Sequence, residues 1–120
     1  VEALDKLFEK AEKIYRPAGD FHSHPEWGQT LGCPELSDSD VKNMIYQESE
    51  LEIVIVISSR QRGYVPWEVQ PDGSIKGSLS KFNYHFNAYT LVENEEGNKV
   101  PQKLQIVAPS ALRALNRVNQ

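Results

Sequence analysis

Apolar side chains recur at helical spacing from the first residue of the chain. Val1, Leu4, Leu7, Phe8, Ala11, Ile14 and Tyr15 fall on one face with Glu and Lys between them, and Pro17 and Gly19 end the run. This predicts an amphipathic helix over residues 1–15. It opens on its apolar face with no capping residue before it, so the chain is expected to begin inside a domain. Residues 20–24 read as a short extended segment stopped by Pro25. Residues 26–36 read as a loop for their Gly, Pro and Thr content.

Ser37 has the chemistry of an N-cap for a helix reaching about Gln47, with Val41, Met44 and Ile45 facing inward. The β-branched run "LEIVIVIS" at residues 51–58 predicts a central strand. Residues 64–69 and 74–77 flank the turn "QPDG" and predict a hairpin. Residues 81–93 and 103–108 predict two more strands joined by the polar turn "ENEEGN", and Ser110 would cap a last helix through Val118. No internal repeat or low-complexity tract interrupts this order. The expected fold class is α+β (α/β-type), a mixed β-sheet flanked by helices, in a single domain over residues 1–120.

Length agrees with one hydrophobic core, since 120 residues are too few for two. Hydrophobic residues at 39% and charged residues at 25% match a soluble globular chain. A formal net charge of −4 leaves no basic footprint, so nucleic acid is not an expected partner. The longest apolar run, residues 53–57, lies between Glu52 and Ser58 and is far too short to span a membrane. No positive segment followed by an apolar one opens the chain, so no signal peptide is expected. Cys33 is the lone cysteine, which precludes an internal disulfide and fits a reducing, cytoplasmic location.

The chemistry concentrates in "DFHSHPEWGQTLGCPELSDSD", residues 20–40. Side chains two apart on a strand point to one face, so His22 and His24 present two imidazoles side by side. Imidazole nitrogens suit zinc, and Asp40 can supply a third ligand from the first turn of the following helix. Each half also has a plainer reading. An H-x-H pair occurs without a metal, and Ser37-x-x-Asp40 is a capping-box pattern in its own right. Amidohydrolase-type barrels also carry H-x-H at a strand end, but a (β/α)₈ barrel needs at least about 200 residues.

The combination of H-x-H, Pro, a loop and S-x-x-D opening a helix resembles the signature of the JAMM (MPN+) zinc metalloproteases. The flanking order is similar too: an amphipathic helix, a glycine before the H-x-H strand, then the helix, then an apolar strand. The specific residues cover the first third of the chain. The resemblance implies a JAB/MPN-like, cytidine-deaminase-like sandwich and a Zn2+ held by His22, His24 and Asp40. It also implies Ser37 as oxyanion donor and a glutamate general base on a strand upstream of the first helix. The implied substrates are protein or peptide chains, including the extended C-terminal tails of ubiquitin-like proteins, which suit recognition by β-addition.

Two departures from the family pattern stand out. No upstream strand precedes the first helix here, and Glu2, Glu9 and Glu12 lie on that helix. Glu26 and Glu35 in the loop could reach the metal, although loop carboxylates ordinarily face water. The interval from His24 to Asp40 is also longer than is usual in the family, and it includes Cys33, which reads either as an inert loop residue or as a thiolate that could fill a coordination position. His85, in "NYHFN", is expected to face solvent or make a hydrogen bond. Arg60 and Arg62 are expected in a solvated loop or against an acidic partner, and Trp27 either lines a substrate groove or packs under its loop. The competing function is a non-catalytic MPN-type binding module with a vestigial or structural metal. Oligomeric state is not legible.

Overall fold

The computed structural model describes residues 3, 5–7, 18–28 and 30–119. The helix expected over residues 1–15 therefore lies for the most part outside the described residues. Among them, six strands form one mixed sheet: β1 (Gly19–Pro25), β2 (Leu51–Ser59), β3 (Glu68–Val69), β4 (Ile75–Leu79), β5 (Phe82–Glu93) and β6 (Lys99–Leu104). The order is β1-β2-β5-β4-β3, with β6 pairing to β5 beyond β4. Besides the helical residues at 3 and 5–7, two α-helices described over their whole length accompany it, α1 (Asp38–Gln47) and α2 (Pro109–Val118). The class is α+β, as the sequence predicts. No helix among the described residues is long and apolar enough to cross a membrane.

The sheet is mixed because β1 and β2 are parallel, whereas the other pairs are antiparallel. A parallel pair needs a crossover, and the loop after β1 together with α1 supplies it. β2 lies between β1 and β5, which accounts for its unbroken apolar run. Register places His22 beside Val54 and Asn87, and His24 beside Val56 and His85. Paired residues share a face, so one face of the sheet carries both histidines, Glu52, Val54, Val56, His85 and Asn87. α1 packs toward that face through Met44, which is 1% exposed. Ile45, expected to face inward, is 46% exposed, because one buried position per turn suffices for a helix lying over a sheet edge.

Three boundaries differ from the sequence reading. The last strand occupies Lys99–Leu104 rather than residues 103–108. Pro101 disguises it, but β6 pairs only with β5, and an edge position tolerates the missing N–H. The first arm of the hairpin shrinks to Glu68–Val69, since Pro66 interrupts the segment before it. The last helix is capped at Ala108 with Pro109 in its first turn, so Ser110 is inside the helix and not its cap.

The opposite face of the sheet is covered by α2 and Trp67. The indole of Trp67 lies flat against Gly77, where a Cβ would stand 2.0 Å from its Cδ2 atom. Its Nε1–H donates to the Ser78 carbonyl at 2.8 Å, and its backbone N–H donates to Asn116 Oδ1 of α2, also at 2.8 Å. Asn116 returns a bond to the Trp67 carbonyl, so this one residue clamps α2 to the sheet.

Candidate metal centre

The site forms where β1 ends and α1 begins. His22 and His24 stand at the carboxyl end of a strand of the parallel pair, and Asp40 in the first turn of the helix that follows it. Open α/β sheets bind ligands at such ends. A capping box builds the helix start: the Asp40 N–H donates to Ser37 Oγ at 3.1 Å, and the Ser37 N–H donates to Asp40 Oδ2 at 2.9 Å. The cap therefore aims the Asp40 carboxylate. Burial alone would raise its pKa, but the Ser37 bonds and the two imidazoles outweigh that and hold it below the ordinary value.

The three side chains converge. His22 Nε2 and His24 Nε2 are 3.0 Å apart, and Asp40 Oδ2 lies 3.3 Å from the first and 3.9 Å from the second. Ligands at zinc's bond lengths in a tetrahedron stand about 3.3 Å from one another. His22, His24 and Asp40 are the group of three donors, among the described residues, that can hold a metal ion.

The two ring nitrogens pointing away from this centre are both committed. His24 Nδ1 lies 2.6 Å from the Cys33 carbonyl, which can only accept, so that nitrogen carries the proton. His22 Nδ1 lies 2.7 Å from Glu52 Oε1 and donates to it. In the neutral rings both Nε2 atoms are then bare lone pairs facing each other at 3.0 Å. Such an arrangement is relieved by a proton shared between them or by a metal ion. A carboxylate behind a ligating histidine also fixes the orientation of the ring.

Glu52 is the site residue that sequence reading overlooks. Its side chain is 8% exposed, and His22 is its hydrogen-bond partner. The available signal is a carboxylate inside an apolar run that reads as a central strand, a position where unpaired charge is costly. Cys33 also contributes differently than its thiol suggests. Its sulfur is exposed and outside the donor group, and its carbonyl does the work of orienting His24. Gly32 lets the loop approach so closely, since a Cβ there would fall 2.4 Å from the His24 carbonyl oxygen.

The other loop carboxylates do not join the metal group. Glu26 accepts from the Ser59 N–H at 2.8 Å and from Arg62 Nε at 2.7 Å, and the Arg62 bond leads the causes that hold its pKa down. Glu35 is exposed and also outside the group. Trp27 is 88% exposed, which removes the expectation that it packs under its loop. His85 is half-buried and bonds through Nε2 to Ser74 Oγ at 2.8 Å, a hydrogen-bonded histidine as expected.

Fold and site together define an α+β domain with a mixed sheet and a two-histidine, one-carboxylate group that can hold a metal ion. No protein-family model, curated protein or solved structure matches the chain.

Proposed function

We propose that the protein is a zinc-dependent peptidase or isopeptidase of the JAMM type, acting on peptide bonds that include those at ubiquitin-like protein tails. The observation that carries this reading is the convergence of His22 Nε2, His24 Nε2 and Asp40 Oδ2 beside the Ser37 hydroxyl. Two nitrogens and one carboxylate oxygen suit zinc better than magnesium or calcium, which prefer all-oxygen sites. The β1–α1–β2 order fits the JAB/MPN-like sandwich that the resemblance implies. Zinc, when bound, supplies a Lewis acid and a water acidic enough to ionise near neutral pH.

The chain's own residues divide the remaining tasks. Glu52 and the Cys33 carbonyl hold the two imidazoles with their Nε2 atoms inward. Asp40 supplies charge, and together with Glu52 it balances a divalent ion. Ser37 Oγ accepts the Asp40 N–H and keeps its own proton, free to be donated to a developing oxyanion.

A second reading rests on the carboxylates. Glu26 and Glu52 are committed to other partners, and exposed Glu35 lies outside the metal group, so among the described residues none of the three is held against the site as a general base. That favours a non-catalytic module with a structural zinc. Zinc content by mass spectrometry, paired with cleavage of extended peptides and of a tail-extended ubiquitin-like protein, separates the two readings. The peptidase reading expects about one zinc per chain and cleavage lost on chelation. Asp40→Asn keeps an acceptor for the Ser37 cap and should lose the metal, while Ser37→Ala should keep it and cut turnover about 10²–10³-fold. Zinc bound with no cleavage of any substrate would leave the binding module with a structural zinc, and no zinc would overturn the peptidase and leave at most a vestigial site.

Glu52→Gln tests the support behind His22. The amide can still accept from His22 Nδ1 but no longer balances charge, and zinc affinity should fall about 10–100-fold. Competition against a chromogenic chelator measures this directly, and an unchanged Kd would reduce Glu52 to a packing role.

A further inference from the structure

On the face of the sheet that carries the metal group, a cavity of about 300 Å³ opens beside His24. Val56, the register partner of His24, forms part of its floor, and His85 and Lys76 follow on the next two strands. Strands lie about 4.8 Å apart, so the cavity runs from roughly 5 to 14 Å from the His24 backbone. Leu31 closes the near side, two residues before the carbonyl that holds His24.

The lining has a sign that the chain as a whole lacks. The sequence carries 17 acidic and 13 basic residues, yet the charged groups lining the cavity are Lys76 and Arg62, with no carboxylate among them. Arg62 is engaged by Glu26. Lys76 is exposed and has no ion pair among the described residues, although Glu68 is its cross-strand neighbour. Burial and then the charge of Lys76 push His85 below its ordinary pKa against the opposing charge of Asp72, so the ring adds no positive charge and Lys76 carries the field. The rest of the lining is largely apolar, with Leu31, Val56 and Val65 prominent. An apolar trough with one unpaired ammonium suits a side chain with an aliphatic stem and a terminal carboxylate.

We propose that this cavity is a subsite for an acidic residue of the peptide substrate, with Lys76 as its specificity determinant. The proposal rests on the peptidase reading for its link to a scissile bond. At about 3.3 Å per extended residue, the span places the acidic side chain roughly one to four residues from that bond.

The test uses fluorescein-labelled extended peptides, identical except for Glu, Gln or Lys at one position moved stepwise along the chain. Binding is followed by polarisation with the zinc-loaded and the chelated protein, and cleavage is followed in parallel. At the matching position Glu should bind about threefold tighter than Gln, and Lys more weakly than either. Lys76→Gln should erase the preference and Lys76→Glu should turn it toward Lys, with thermal melts checking that both variants fold. No binding, no Glu preference, or a preference unchanged in both variants overturns the subsite. A Lys76-dependent preference without cleavage keeps the subsite and defeats the peptidase reading; cleavage without the preference does the reverse.

Discussion

Replacing His22 with alanine is expected to abolish zinc binding and, in the metal-free protein, to destabilise the fold more than His24→Ala does. Both substitutions remove one of the three donors of the proposed zinc site, so under that proposal neither variant should retain zinc through a desalting column. Their structural consequences differ. His24 leaves behind a backbone carbonyl, that of Cys33, in an exposed loop that water can reach. His22 leaves behind the Glu52 carboxylate, whose side chain is 8% exposed and whose hydrogen-bond donor is gone. Breaking this partly buried pair from one side strands a charge, at the lower end of the roughly 3–5 kcal/mol that a fully buried pair costs.

For a domain of this size that corresponds to a fall in Tm on the order of 10 °C, read by scanning calorimetry on chelated samples. The double variant His22→Ala/Glu52→Gln removes the stranded charge and should recover a large part of the loss. Equal melting temperatures for His22→Ala and His24→Ala, with no recovery in the double variant, would mean that Glu52 reaches solvent without cost. The same comparison separates a metal ligand from a merely structural histidine, because zinc should raise the Tm of the parent and of neither variant.

Gly77→Ala is expected to destabilise the protein by about 3 kcal/mol, through overpacking at one point. An added Cβ would stand 2.0–2.4 Å from three atoms of the Trp67 indole. The indole cannot simply shift, since its Nε1–H is tied to Ser78 and its backbone to Asn116 of α2. Tyr84 and Phe86 add ring contacts at 6.3 and 6.1 Å between centroids. Trp67 is 5% exposed while the other tryptophan, Trp27, is out in solvent. In a Trp27→Phe background the fluorescence therefore reports Trp67 alone, and Gly77→Ala should shift its emission to the red and lower the Tm by roughly 10 °C. An unshifted spectrum with an unchanged Tm would show that the strand can move away from the indole at little cost. Zinc affinity should change far less, because Trp67 and the metal group lie on opposite faces of the sheet.

How far these features can be read in the residues varies along the chain. The strand at Leu51–Ser59 and the helix opened by Ser37 are local, since β-branching and a reciprocal cap act between near neighbours. The last strand escapes a local reading because Pro101 forbids a central position but not an edge, and edge status depends on which strands pair. His22, His24 and Asp40 are legible as candidates from their spacing and chemistry. Their approach to one another depends on β1 and α1 being brought side by side.

The order of strands and helices, the paired imidazoles on one strand face and the capped carboxylate follow from the residues alone, because each arises from interactions a few positions long. Glu52 lies 30 residues from the histidine it holds, and Cys33 acts through a carbonyl that no residue identity reveals. The cavity around Lys76 likewise collects Leu31, Val56, Lys76 and His85 from four separate segments. Parallel pairing of β1 with β2, and β5 laid beside β2, brings these groups together, and that register is set by packing both faces of the sheet rather than by any local signal.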